Sequence, residues 1–183
     1  LLLPGILWMA TLLLGYALLM YRFFFVPQLL RRYLLLALVT HNPVVPVLLL
    51  YLVVLFADAA GMALTEIAWV PVLLLGAMYW LLLLSWELAR KIRAPEDEDD
   101  YVTYSSLFGY RGAVSLTVAL QTGALALAAV VSHNYELPAP FVPIVTIGYA
   151  IALLGHARFL LRPDTRTAQL RPFTEAYIMV ACG

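Results

Sequence analysis

Ile67-Ala-Trp69-Val-Pro71-Val-Leu-Leu-Leu-Gly76-Ala-Met-Tyr79-Trp80-Leu-Leu-Leu-Leu-Ser-Trp86 contains no charged residue, and Glu87-Leu-Ala-Arg90-Lys91 follows it at once. A helix crossing a hydrocarbon core about 30 Å thick needs about 20 predominantly apolar residues at about 1.5 Å of rise each. This run meets that length. It is apolar on every face instead of alternating, and lipid leaves no partner for the backbone of an unclosed sheet. The stretch therefore predicts a transmembrane helix that ends at a charged loop.

Runs of the same kind lie near residues 2–20, 33–56, 113–131 and 141–157, and a sixth begins near 173 and meets Gly183 before it could span. The expected fold is all-α, a polytopic transmembrane helical bundle forming a single domain over 1–183. Hydrophobic residues make up 64% of the chain and charged residues 12%, well outside the averages of soluble domains. Net charge is zero, which gives nucleic acid no basic excess to bind, and the lone Cys182 can form neither an internal disulfide nor a thiolate metal site. The chain opens at Leu1 with no basic stretch before the first apolar run, so that run does not read as a signal peptide, and the sequence is expected to be a fragment.

All eleven Lys and Arg residues fall in three of the five gaps between runs. Arg22, Arg31 and Arg32 lie in the first; Arg90, Lys91, Arg93 and Arg111 in the third; Arg158, Arg162, Arg166 and Arg171 in the fifth. Cationic loops stay on the cytoplasmic side of a bilayer, so this alternation predicts that loops 21–32, 87–112 and 158–172 are cytoplasmic. Prolines near several run starts, such as Pro4, Pro140 and Pro172, suit first helical turns, where no amide partner is lost, whereas Pro46 and Pro71 are placed to bend their helices.

The third gap reads Glu87-Leu-Ala-Arg90-Lys91-Ile-Arg93-Ala-Pro-Glu96-Asp97-Glu98-Asp99-Asp100, then Tyr101-Val-Thr103-Tyr-Ser-Ser-Leu-Phe-Gly109-Tyr-Arg111. Carboxylates can hold magnesium, magnesium bridges phosphate oxygens, and Arg or Lys neutralises the remaining charge. The same residues also suit a solvated loop that anchors topology. A helix end, an acidic stretch, then Thr103 and Gly109 leading into the next span resembles the second aspartate-rich loop of the UbiA superfamily of intramembrane prenyltransferases. In that family the acidic loop precedes a Thr-Leu-Pro-Val-like segment ending in glycine, whose place Thr103-Tyr-Ser-Ser-Leu-Phe-Gly109 takes here.

The resemblance implies that the spans correspond to the fourth through ninth helices of a nine-helix fold. It further implies transfer of a polyprenyl group from its diphosphate to a small acceptor, with Mg2+ as cofactor. Glu87, Glu96 and Asp97 would then serve as metal ligands, and Arg90, Lys91 and Arg93 as diphosphate contacts. The loop would cap a cavity with Glu87 turned inward. The chain departs from the family pattern in register, since counting back from Gly109 places Ile92 and Glu96 where two aspartates would stand. The family's first motif, Asn-x-x-x-Asp-x-x-x-Asp, is missing from these residues and is expected upstream of Leu1.

Two other classes stay open: a non-enzymatic membrane protein such as a transport permease, and a CDP-alcohol phosphatidyltransferase, whose Asp-Gly-x-x-Ala-Arg start resembles Glu87-Leu-Ala-Arg90. A transporter predicts polar residues midway through spans or an inverted repeat, and neither stands out. His41, His133 and His156 share no metal-ligand spacing and read as caps or interface residues. Gly123 and Gly155 are expected to permit close helix contacts.

Overall fold

A computed structural model of the chain describes residues 3–182, and among these the only regular structure is helical. Among the described residues, four helical stretches are long and apolar enough to cross a membrane: Leu34–Ala59, Trp69–Ala89, Tyr104–Tyr135 and Phe141–Leu161. The chain divides into two compact units, Leu1–Ala77 and Met78–Gly183.

In the first unit, α1 (Leu3–Tyr21) packs on α4 (Val44–Ala59), and the short helices α2 (Pro27–Arg32) and α3 (Leu34–His41) connect them. The run expected to be one continuous span from Tyr33 to Phe56 is covered by the stretch Leu34–Ala59, in which α3 passes into α4 through Asn42 and Pro43, both with α-region φ/ψ. Pro43 and Pro46 have no amide hydrogen to donate to the preceding turn. Thr40 Oγ1 donates to the Leu36 carbonyl at 2.8 Å and Asn42 Nδ2 to that of Leu38 at 3.1 Å. These side chains satisfy their own polar groups by returning them to helix carbonyls, as a polar residue in an apolar span must.

α5 (Trp69–Ala89) begins in the first unit and ends in the second. The second unit continues with α6 (Tyr104–Tyr135), α7 (Phe141–Leu161) and α8 (Arg171–Cys182). α7 packs against both α6 and α8. The α6–α7 pair is antiparallel, since Tyr110 meets Phe159 edge-on at 5.7 Å and Thr122 Oγ1 lies 2.7 Å from Tyr149 Oη. Small residues allow the close approach, with Ala113, Ala124, Ala128 and Ala152 all fully buried.

α6 starts nine residues before the apolar run at Ala113 from which a span was expected, because Thr103 caps it. The Thr103 side chain accepts the Ser106 amide at 2.9 Å while Ser106 Oγ accepts the Thr103 amide at 2.9 Å, a reciprocal box that supplies two otherwise orphaned donors. Gly109 then interrupts the helix at φ 70° and ψ 153°, a conformation essentially restricted to glycine. The turn from Tyr104 to Phe108 is thus set apart from the span that follows.

Candidate functional site

The charged ends of α5, α6, α7 and α8 meet at one end of the second unit. Trp86, near the end of α5, donates from Nε1 to Glu175 Oε1 of α8 at 3.0 Å, and Arg171 Nε reaches the same oxygen at 2.7 Å. Arg90 and Arg171 both lie over the Trp86 ring, at 5.2 and 5.7 Å from its centroid. One indole therefore joins the third gap to the beginning of α8 through a hydrogen bond and two cation–π contacts.

Glu87 sits in the last turn of α5 with 15% of its side chain exposed. One oxygen takes Arg90 Nη2 at 2.9 Å and Lys91 Nζ at 2.9 Å, and the other takes Arg90 Nε. Three of the residues expected at a diphosphate-metal site thus pair with one another, two cations on one carboxylate. Hydrogen bonding to Glu87 raises the Arg90 pKa above its ordinary value. Arg93 is engaged as well, pairing through Nη1 with Asp99 Oδ2 at 2.7 Å and donating to the Asp97 carbonyl at 3.2 Å. Its guanidinium holds the Asp99 carboxyl below the usual carboxylate range.

Glu96 and Asp97 stand in a single turn of 3-10 helix, Pro95–Asp97, and both reach the fifth gap. Glu96 Oε1 accepts the Thr165 amide at 3.0 Å. The Thr165 hydroxyl lies 2.8 Å from Glu96 Oε1 and 3.0 Å from Asp97 Oδ1, sharing its proton between them. The amide and then the hydroxyl lower the Glu96 pKa, so this carboxylate stays ionised at neutral pH. Glu98 turns the other way and accepts the Thr103 hydroxyl at 2.8 Å. The acidic run is therefore divided among three local tasks. Among the described residues, no group of three His, Cys, Asp or Glu side chains is arranged to hold a metal ion.

Beside this clasp lies an open cleft of about 700 Å³, lined by Glu96 with Arg158, Leu161, Arg162, Asp164 and Arg166, together with the threonines of the same loop. The loop is folded on itself. Asp164 Oδ1 accepts the Thr167 amide at 2.9 Å, and Asp164 Oδ2 pairs with Arg162 Nε at 3.0 Å. The Thr167 amide is the leading cause of a lowered Asp164 pKa. No family model, curated protein or solved structure matches the chain. What this end of the bundle can do must therefore be derived from its own residues.

The structure brings Glu96 and Asp97 together at Thr165, and Glu87 together with Arg90 and Lys91, as two separate groups. Sequence reasoning missed the contribution of the fifth gap. Its four arginines were legible as a topological signal, and the alternation that placed the third and fifth gaps on one side also implied that they could touch. Reasoning also passed over Gln121 in the middle of α6. Gln121 is fully buried, donates from Nε2 to Thr174 Oγ1 at 3.3 Å, and receives the Tyr177 hydroxyl on its backbone carbonyl at 3.2 Å. Its Oε1 has no hydrogen-bond partner among the described residues, and neither has Nε2 of His156, a buried residue of α7.

Proposed function

We propose that the chain is the later part of a UbiA-like intramembrane prenyltransferase, moving a polyprenyl group from its diphosphate to a small acceptor. In this proposal α1 is the first of six spans, α8 begins the sixth, and the nine-helix fold is completed by helices upstream of Leu1. The observation that carries it is the clasp between Glu96, Asp97 and Thr165, which sets the Glu96 carboxylate, with Asp97 beside it, against an arginine-lined cleft at the end of apolar helices. Magnesium commonly takes one or two carboxylates plus substrate phosphates and water, and Glu96 with Asp97 can supply that share. When bound, the ion would stabilise negative charge on departing diphosphate. Arg90, Lys91 and Arg93 would add direct contacts only by exchanging their present carboxylate partners for phosphate oxygens.

The test is prenyl transfer by the complete protein, measured against magnesium concentration. Glu96→Gln keeps shape but removes a charged ligand, so its defect is expected to shrink in excess magnesium; Arg90→Ala is expected to stay impaired. Wild-type rates in both variants would remove the loop from the chemistry. A second reading, a non-enzymatic membrane protein such as a permease, is favoured by the mutual pairing of Glu87, Arg90 and Lys91 and by the buried Gln121 amide.

On the cation pattern, loops 21–32, 87–112 and 158–172 are cytoplasmic in this proposal. Single cysteines at Asp100 and Asn134, both exposed and at opposite ends of α6, are expected to react with impermeant reagent from opposite faces of the membrane. Labelling of both from one face would overturn the assignment.

A further inference from the structure

We propose that the cleft lined by Arg158, Arg162 and Arg166 binds the phosphate group of an anionic membrane lipid. This does not depend on prenyl transfer.

The three guanidinium groups face two carboxylates, Glu96 and Asp164, leaving one positive charge in excess. Both carboxylates already accept hydrogen bonds from the 158–172 loop, Glu96 from Thr165 and Asp164 from Thr167. Arg158 and Arg166 pair with no carboxylate among the described residues. An arginine in the last turn of a helix often only offsets the carbonyl end of its dipole, and that role suffices for Arg158. It does not account for Arg166, which lies beyond the end of α7 and still lines the cleft.

The walls are as informative as the charges. Leu161 lines the cleft while 88% exposed, and it ends a stripe on α7 with Leu154 at 65% and Ile147 at 59% exposure. Residues spaced by seven drift by only about 20° around a helix, so the three leucine and isoleucine side chains form one apolar track leading to the cations. A cationic, forked donor set at the head of an apolar track fits an amphiphile with phosphate at one end and hydrocarbon at the other. A phosphate monoester fits better than a diester, because it carries more negative charge and offers a further terminal oxygen to Arg158 and Arg166, the two guanidinium groups without a carboxylate partner among the described residues.

The test uses the full chain in nanodiscs of phosphatidylcholine containing either phosphatidic acid, a monoester, or phosphatidylglycerol, a diester. Lipid retained after detergent exchange is quantified by mass spectrometry. Phosphatidic acid is expected to be enriched over phosphatidylglycerol, with about a tenfold loss of that enrichment in Arg166→Gln, the scale of one charge-assisted contact. Arg111→Gln, the same change of charge outside the cleft lining, is expected to leave the enrichment intact and controls for folding and for general attraction. Equal retention of the two anionic lipids, or equal losses in both variants, would overturn the proposal. Displacement of the lipid by millimolar inorganic phosphate would also overturn it, by showing that the cleft serves a soluble phosphate.

Discussion

Gly155→Ala is expected to lower stability by about 1–3 kcal/mol, the range for forcing an added methyl into a packed interface. A Cβ at this position would lie 2.6 Å from Phe173 Cδ2 and 2.8 Å from Phe173 Cβ. Rotating the ring could relieve the first contact but not the second, because Cβ moves only with the α8 backbone. α8 must therefore shift away from α7. Two further contacts depend on that position: the Arg158 guanidinium over the Phe173 ring, at 5.8 Å, and the Gln121–Thr174 hydrogen bond. Gly76→Ala is the informative comparison, since its Cβ would meet nothing within 4 Å and alanine is the better helix former by up to about 1 kcal/mol. Titrating both variants with denaturing detergent in mixed micelles should move them in opposite directions. Equal stability of the two would mean that α7 and α8 are not packed this closely.

Thr103→Ala is expected to cost about 1–2 kcal/mol, the upper part of the range for losing a helix cap. The hydroxyl is fully buried and serves two partners at once, accepting the Ser106 amide and donating to Glu98. Its removal orphans an amide and leaves a carboxylate short of a donor. Amide hydrogen exchange should show Ser106 losing protection while residues after Gly109 keep theirs. Thr103→Ser, which retains the hydroxyl, should restore most of the loss; failure of serine to do so would point to packing of the threonine methyl instead.

Thr103 and Gly109 also show how much of the molecule could be read from its letters. Both were conspicuous as a motif ahead of an apolar run, and the structure gives each a local role: a cap at one and a positive φ at the other. A motif of this spacing can therefore arise from helix architecture as well as from chemistry. Apolar length located the helices because burial in lipid acts on every residue of a span. It misplaced the start of α6, since a capping box is polar. The candidate site was less legible. Glu96 stood out as a carboxylate in an acidic loop, but its partner Thr165 lies 69 residues away, and no local pattern marks the pair. The cleft likewise depends on how one loop folds on itself beside another.

The packing of α7 on its two sequence neighbours bears on how the second unit is assembled. Contacts between consecutive helices close short loops, and the entropy lost in closing a loop grows with its length. α7 and α8 can thus each dock on the helix emerging just before them. The longest-range of the joints between α5 and α8 are Trp86 to Glu175 and Tyr79 to Ala181, separated by 89 and 102 residues. Both need α8 in place, whereas the Tyr104 amide on the Lys91 carbonyl and the Arg93 amide on Ser105 Oγ close only a short loop, so the join of α5 to α8 carries the larger loop-closure cost and loosens first when α8 is displaced.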